Sequence, residues 1–255
     1  MASYITDDKS PLCIPFITGL LEKRSPQHRF RPFMASARQP SIDDLYLKHE
    51  DQVALARSHP DNLLVQQRSE PGTHDMQFAQ TFFDSITSGE SNKVPSYDKA
   101  AFSGQDGRLP ESQWVNGLGK SKVQVVIFEG WCVGFRALPE ARVEARWKAP
   151  NRALQRHKLK HLLLVNERLK DYDTMTDLLD VFIHIDAEDT QHAELRQERG
   201  TGMTDEQVVK FADSYCPAYE LFSDNARRGV LPKSPGHQMR LAVVKDRRVK
   251  EHFAI

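Results

Sequence analysis

The sequence predicts an α/β fold, a parallel sheet flanked by helices, and three observations carry that expectation. Lys122 to Phe135 reads K-V-Q-V-V-I-F-E-G-W-C-V-G-F, too apolar for a half-exposed strand, and contains a carboxylate and glycine turn at Glu129-Gly130. Burial on both faces is what helices packed over a parallel sheet impose on its strands. A second apolar run, Val181 to Ile185, ends at Asp186. Amphipathic stretches lie around these runs, and strands alternating with helices imply parallel pairing. A chain of 255 residues without an internal repeat fits a single domain spanning 1–255.

Taken in order, Leu12 to Thr18 (L-C-I-P-F-I-T), followed by Gly19, has the length and apolar character of a first buried strand, although Pro15 cannot donate to a ladder. From Leu20 to Pro40 the text changes. Lys23, Arg24, Arg29, Arg31 and Arg38 alternate with Pro26, Pro32 and Pro40 without helical or strand period, so 20–40 reads as an aberrant basic loop. Ser41 to Tyr46 forms a second strand end. Glu50 to Arg57 is helix-like and stops near Pro60, and Met76 to Ile86 is amphipathic, with Thr73 and Asp75 as amino-cap candidates. A loop rich in Gly, Pro and Ser runs on to Gly119. Asn151 to Leu169 is an amphipathic helix, Thr204 to Tyr215 a further one opened by Thr-Asp-Glu-Gln, and Leu241 to Val244 a short final strand.

Composition narrows the function classes. Lys plus Arg and Asp plus Glu both number 35, so the chain offers no general attraction for nucleic acid or anionic lipid. No run approaches the roughly 18 apolar residues of a membrane helix, and Asp7 and Asp8 precede only a short apolar patch, so a cytoplasmic protein is expected. Cys13, Cys132 and Cys216 are too few and too scattered for a disulfide framework or a Cys-rich zinc site. His157 and His161 lie four apart on one helix face, but Lys158 stands where a zinc hydrolase needs Glu, and a solvated face is expected.

Ligands of open α/β sheets bind outside the carboxyl ends of the strands, where this chain places Asp43, Asp44 and Glu129. Phosphoryl transfer needs a cradle for the nucleotide phosphates, oxygen ligands for magnesium, and a base for the attacking hydroxyl. Asp43 is placed to act as base and Glu129 to hold magnesium, with Asp43 a second candidate ligand; each could equally be a polar residue that ends a strand.

Several longer segments then fall into one pattern. They are S-I-D-D-L-Y-L from Ser41, R-S-E-P-G-T-H-D at Arg68 to Asp75, V-P-S-Y-D-K-A-A-F-S-G at Val94 to Gly104, and V-I-F-E-G-W-C-V-G-F at Val126 to Phe135. H-L-L-L-V-N-E-R-L-K-D-Y-D from His161, F-I-H-I-D-A-E-D-T from Phe182 and G-M-T-D-E-Q-V-V-K-F from Gly202 continue it. In this order they resemble the D-glycerate 3-kinase-like branch of the P-loop kinases, related to uridine kinase, phosphoribulokinase and pantothenate kinase, over nearly everything after Pro40.

The resemblance implies a P-loop NTPase-type sheet and ATP-dependent, magnesium-assisted phosphorylation of a small hydroxy acid, glycerate foremost, with no nucleic-acid or membrane partner. It implies Asp43 as catalytic base, with Asp44 and Tyr46 beside the acceptor. Arg68, His74 and Asp75 fall in the substrate segment, and Tyr97 and Lys99 in an acceptor loop. Arg and His there suit an anionic acceptor, because a guanidinium pairs with a carboxylate through two hydrogen bonds. Asp75 is also a good amino-cap for the helix that follows. On the nucleotide side the resemblance points to Gly19, to a lid arginine at Arg196 or Arg199, and to Lys245.

The phosphate cradle is the part the sequence does not spell. G-x-x-x-x-G-K-[ST] should join the first strand to the first helix. Gly19 begins such a motif and nothing completes it, and only the 23 residues Leu20 to Ile42 separate Gly19 from Asp43. A phosphate loop, a helix of about eleven residues and a strand of about five exceed that span. Gly119-Lys120-Ser121 spells G-K-S, but Trp114 stands in place of the leading glycine and the triplet precedes a strand. The amino-terminal βαβ unit therefore reads as truncated and the kinase activity as weak or absent. The rival reading is a noncatalytic, kinase-derived interaction protein whose stretch Lys23 to Arg38 meets an acidic partner.

Overall fold

The computed structural model of the chain describes residues 17–22, 40–88, 93–98, 107–116, 125–151, 153–187, 214–244 and 248–255. Its main sheet is built from β1 (Ile17–Glu22), β6 (Val125–Gly130), β7 (Val181–Ala187), β8 (Gln238–Val243) and β9 (Val249–Ala254), in the order β6-β1-β7-β8-β9. Two short ladders pair β2 (Lys93–Val94) with β5 (Val115–Asn116) and β3 (Tyr97–Asp98) with β4 (Gly107–Arg108).

Strands β7 and β8 pair in parallel, and β1 runs antiparallel to both β6 and β7. It follows that β6, β7 and β8 point the same way and end on one edge of the sheet. The expected parallel arrangement holds for those three, while β1 and β9 run against it.

The described first strand, Ile17–Glu22, overlaps the expected Leu12 to Thr18 run at Ile17 and Thr18 and continues beyond it. Leu20 and Leu21 prolong the apolar run beyond Gly19, so the ladder extends to Glu22 and takes in the start of the stretch expected to be loop. Residues 12–16 and 23–39, including the basic tract, lie outside the described residues.

Helix α1 (His49–Ser58) ends just before Pro60. Helix α2 (Met76–Ser88) buries Ala79, Phe82, Phe83 and Ile86, a spacing that lines one helical face. Helix α3 (Glu140–Lys148) was not legible in the sequence, and it buries only Val143. The helix expected over Asn151 to Leu169 is shorter, since a 3-10 turn at Leu154–Arg156 precedes α4 (Leu159–Leu169). Asn151 explains the interruption. Its Nδ2 donates to the Trp147 and Ala149 carbonyls at 3.1 and 2.7 Å, its Oδ1 accepts from the Gln155 amide at 3.0 Å, and it closes α3 instead of extending α4. The short α5 (Asp173–Thr176) and then α6 (Cys216–Arg228) follow, α6 opening on Pro217. The helix expected at Thr204 to Tyr215 lies outside the described residues except for its last two positions, which form a turn; the Gly119-Lys120-Ser121 triplet lies wholly outside them.

The core joins the sheet to these helices through Phe83, Phe128, Phe135, Phe182, Phe222, Leu162 and Tyr172, all buried. Within it Asn166 of α4 ties down the loop after β6. Its Oδ1 accepts from the Leu138 amide at 2.7 Å and its Nδ2 donates to the Leu138 carbonyl at 2.9 Å. Among the described residues no helix is long and apolar enough to cross a membrane. His161 is buried, not part of a solvated face, and lies 3.4 Å from the Asp61 carboxylate.

Candidate active site

Ser41 pairs in parallel with Glu129, and the Glu129 amide donates to the Pro40 carbonyl at 3.2 Å. An isolated parallel bridge thus sets Ser41 beside the end of β6 before the chain turns into a 3-10 helix, Ile42–Leu45. Ser41 caps that turn. Its Oγ accepts from the Asp43 amide at 3.2 Å, and its own amide donates to Asp44 Oδ2 at 3.3 Å. The turn sits this close because residue 130 is glycine: a Cβ there would lie 2.2 Å from Ile42 Cγ2.

Asp43 is thereby held next to the end of β6. Its charge reaches Tyr46, His74, Cys132 and Tyr215, and burial first, then neighbours including Asp43, hold the Tyr46, Tyr215 and Cys132 hydroxyls and thiol above their usual ranges. Asp43 and Glu129, forecast separately from two strand ends, belong to adjacent backbone segments.

Asp44, expected beside the acceptor, also holds the backbone. Buried at 3% exposure, it spends Oδ2 on Ser41 and accepts the Tyr97 amide on Oδ1 at 3.2 Å, so it fixes β3 against the turn. Tyr46 pairs antiparallel with His74, and the two rings stack at 4.1 Å. Tyr97 leans on Tyr46 at 5.7 Å, and the Arg68 guanidinium carbon lies 5.8 and 6.0 Å from the Tyr46 and Tyr97 rings. A cation, two aromatic faces and an imidazole therefore share a wall beside Asp43. Burial drives the His74 pKa down to about 3 against the pull of Asp43, so the imidazole is neutral.

Asp75 caps α2, accepting the Phe78 amide at 2.9 Å, and gives its other oxygen to Arg108 at 3.0 Å. Both oxygens serve the fold, which favours the capping role over acceptor binding. Arg108 was missed by sequence reading. Its side chain is 5% exposed, donates also to the Tyr46 carbonyl at 2.9 Å and covers the Phe78 ring at 3.9 Å. A single arginine in a glycine-flanked loop gives no sequence signal for that role.

Two further buried groups were missed as site residues. The Tyr172 hydroxyl lies 2.6 Å from His74 Nδ1. Glu70 accepts the Ala218 amide of α6 at 3.3 Å, and burial pushes its carboxyl well above the usual range. On the nucleotide side, Gly19 is not at a strand end. It sits inside β1 between Phe128 and Phe182, where it cannot open a phosphate loop. Lys99, Arg196, Arg199 and Lys245 lie outside the described residues.

Comparison with known proteins follows this geometry. No family model matches the chain. It is 33% identical over 242 residues to the uncharacterized kinase mug58 of Schizosaccharomyces pombe, covering 86% of this chain and 85% of that protein. A solved structure of D-glycerate 3-kinase from Cryptococcus neoformans superposes with a TM-score of 0.76 at 30% identity, covering 86% of this chain and 80% of that one. The chain belongs to the D-glycerate 3-kinase-like family of P-loop kinases. It is also 31% identical over 196 residues to the chloroplastic D-glycerate 3-kinase of Arabidopsis thaliana, covering 71% of this chain and 40% of that longer protein.

Membership of the kinase family directs attention to a second acidic strand end. Asp186, near the end of β7, receives Arg227 Nε and Nη2 at 2.9 Å each and Arg240 Nε at 2.7 Å. Burial alone would raise its pKa, but the Arg227 hydrogen bonds and charge outweigh burial and lower it. Asp186 is thus neutralised by two arginines, whereas Asp43 and Glu129 lie where β6 ends on the same edge.

Among the described residues no group of three or more His, Cys, Asp or Glu side chains forms a metal cage. Asp43 and Glu129, on adjoining segments, are the carboxylates that would hold magnesium, an ion that keeps several waters and takes one or two carboxylates together with nucleotide phosphates.

Proposed function

We propose that this site is built to transfer a phosphoryl group from ATP to the hydroxyl of a small hydroxy acid, with glycerate as the best candidate. The observation that carries the reading is the pairing of Ser41 with Glu129, which brings Asp43 to the end of β6 beside the His74, Tyr46, Tyr97 and Arg68 wall. Asp43 takes the proton of the acceptor hydroxyl as its oxygen attacks the terminal phosphorus, and ADP leaves with the bridging oxygen. Arg68 pairs with the acceptor carboxylate and His74 donates to an acceptor oxygen. Asp43 and Glu129 would hold magnesium, which, when bound, supplies positive charge against the phosphates.

In the chain as written, turnover is weak or absent, because no G-x-x-x-x-G-K-[ST] occurs in the sequence and the span 20–42 is too short for a phosphate loop, helix and strand together. That same feature favours a second reading, a noncatalytic protein derived from a kinase that keeps the acceptor pocket as a binding site.

Calorimetric titration of the purified chain with D-glycerate and with glycerol tests the acceptor assignment. D-glycerate is expected to bind, and glycerol, without a carboxylate, to bind at least about tenfold more weakly. Equal affinity for the two, or no binding of either, would overturn it.

A further inference from the structure

We propose that Tyr172 is a positioning residue that fixes His74 in its Nε2–H tautomer, making the imidazole a neutral, one-directional hydrogen-bond donor at the acceptor site. The ligand named for that donor rests on the function proposed above; the tautomer does not. The assignment follows from counting protons. The Gly72 amide donates to Tyr172 Oη at 3.0 Å, and an amide can only donate. His74 Nδ1 lies 2.6 Å from the same hydroxyl. Tyr172 is buried at 1% exposure, and its single hydroxyl proton has no other acceptor among the described residues. That proton therefore points at Nδ1, Nδ1 accepts it, and the ring proton of the neutral imidazole resides on Nε2.

The Nε2 atom is where a ligand would be felt. It is fully buried without a partner among the described residues, in a side chain that is 4% exposed overall. The ring cannot swing to seek one. Tyr46 stacks on it at 4.1 Å with 19° between planes, Tyr172 meets it edge-on at 5.5 Å, and residue 74 is pinned by its backbone pairing with Tyr46. The donor thus keeps one direction, and it suits an oxygen, carboxylate or hydroxyl, of the acceptor. The opposite tautomer would present a lone pair there and repel such an oxygen. Tyr172 reaches this point from a 3-10 turn at the end of α4, so the helix that anchors the core also sets the polarity of the site.

Long-range proton–nitrogen correlation spectra of the full chain labelled with 15N-histidine test the proposal, with His74→Gln used to assign the signals. In the unsubstituted chain His74 is expected to show a protonated Nε2 and a hydrogen-bonded, unprotonated Nδ1. In Tyr172→Phe the His74 pattern is expected to move towards a mixture of tautomers, and the affinity for D-glycerate to fall by about tenfold, the weight of one hydrogen bond to a charged group. A proton on Nδ1 in the unsubstituted chain, or an unchanged His74 pattern in Tyr172→Phe, would overturn the proposal. Should Tyr172→Phe fail to fold, the spectrum of the unsubstituted chain alone still decides the tautomer. If the spectra agree while D-glycerate does not bind, the acceptor reading of the site fails and the tautomer assignment stands.

Discussion

Gly130 has no room for a side chain, and that single absence lets the Asp43 turn settle onto the end of β6. A methyl group added there would meet Ile42 Cγ2 at 2.2 Å, far inside contact distance. Gly130→Ala is therefore expected to destabilise the chain by about 1–3 kcal/mol through overpacking, read by urea unfolding, and to loosen the Asp43 turn. Glu70 makes a second case at this scale. Its carboxyl is buried, held above its ordinary range by burial, and only partly compensated by the Ala218 amide. The folded state thus retains a proton that the unfolded chain releases. Stability is fully present below the ordinary glutamate range and falls as pH rises above it, by about 1.4 kcal/mol per pH unit until the buried group itself ionises. Glu70→Gln removes this penalty. Its melting temperature is expected to match the unsubstituted chain below the ordinary glutamate range and to exceed it as pH rises above that range; a difference that does not change with pH would contradict the raised, buried Glu70 carboxyl.

At the scale of elements, the site hangs on loops that helices hold in place. Asn166 satisfies both backbone groups of Leu138 from within α4. Asn166→Ala leaves a buried N–H and a buried carbonyl unpaired and is expected to cost about 2 kcal/mol or more, measurable as a lower urea midpoint with an unchanged slope. The ends of β6 and β7 were legible in the sequence because apolar runs there stop at Glu129 and Asp186, a pattern that needs no tertiary information. Helix α2 was legible for a similar reason, its buried residues recurring at helical spacing behind the Asp75 cap. Helix α6 was not, because Pro217 reads as a breaker although it sits in the first turn, where a missing N–H leaves no helical bond unmade. Strand β9 gave no signal since all its residues are exposed, and without a buried face there is no alternation to see. The ties through Arg108 and Tyr172 join positions 33 and 98 residues apart, a closeness only the folded chain creates.

For the whole molecule, the proposed function divides the site into an acceptor half and a nucleotide half. The residues proposed for the acceptor share the Ser41–Glu129 and Tyr46–His74 pairings and the stacked Tyr46 and His74 rings. For the proposed nucleotide half, the sequence spells no G-x-x-x-x-G-K-[ST], and Gly19 lies inside a strand that runs opposite to β6 and β7. The direction of β1 was beyond sequence reading, because a strand reads the same in apolar pattern whichever way it enters the sheet. A ligand that binds only the folded state raises its stability by about 2.7 kcal/mol at a hundredfold excess over its dissociation constant, so melting temperature reports which half is competent. The direct measurement is a thermal unfolding scan of the full chain alone, with D-glycerate, and with magnesium ATP. A rise of several degrees with D-glycerate and none with magnesium ATP is expected, whereas a clear rise with magnesium ATP would contradict the proposal that this chain lacks a working phosphate cradle.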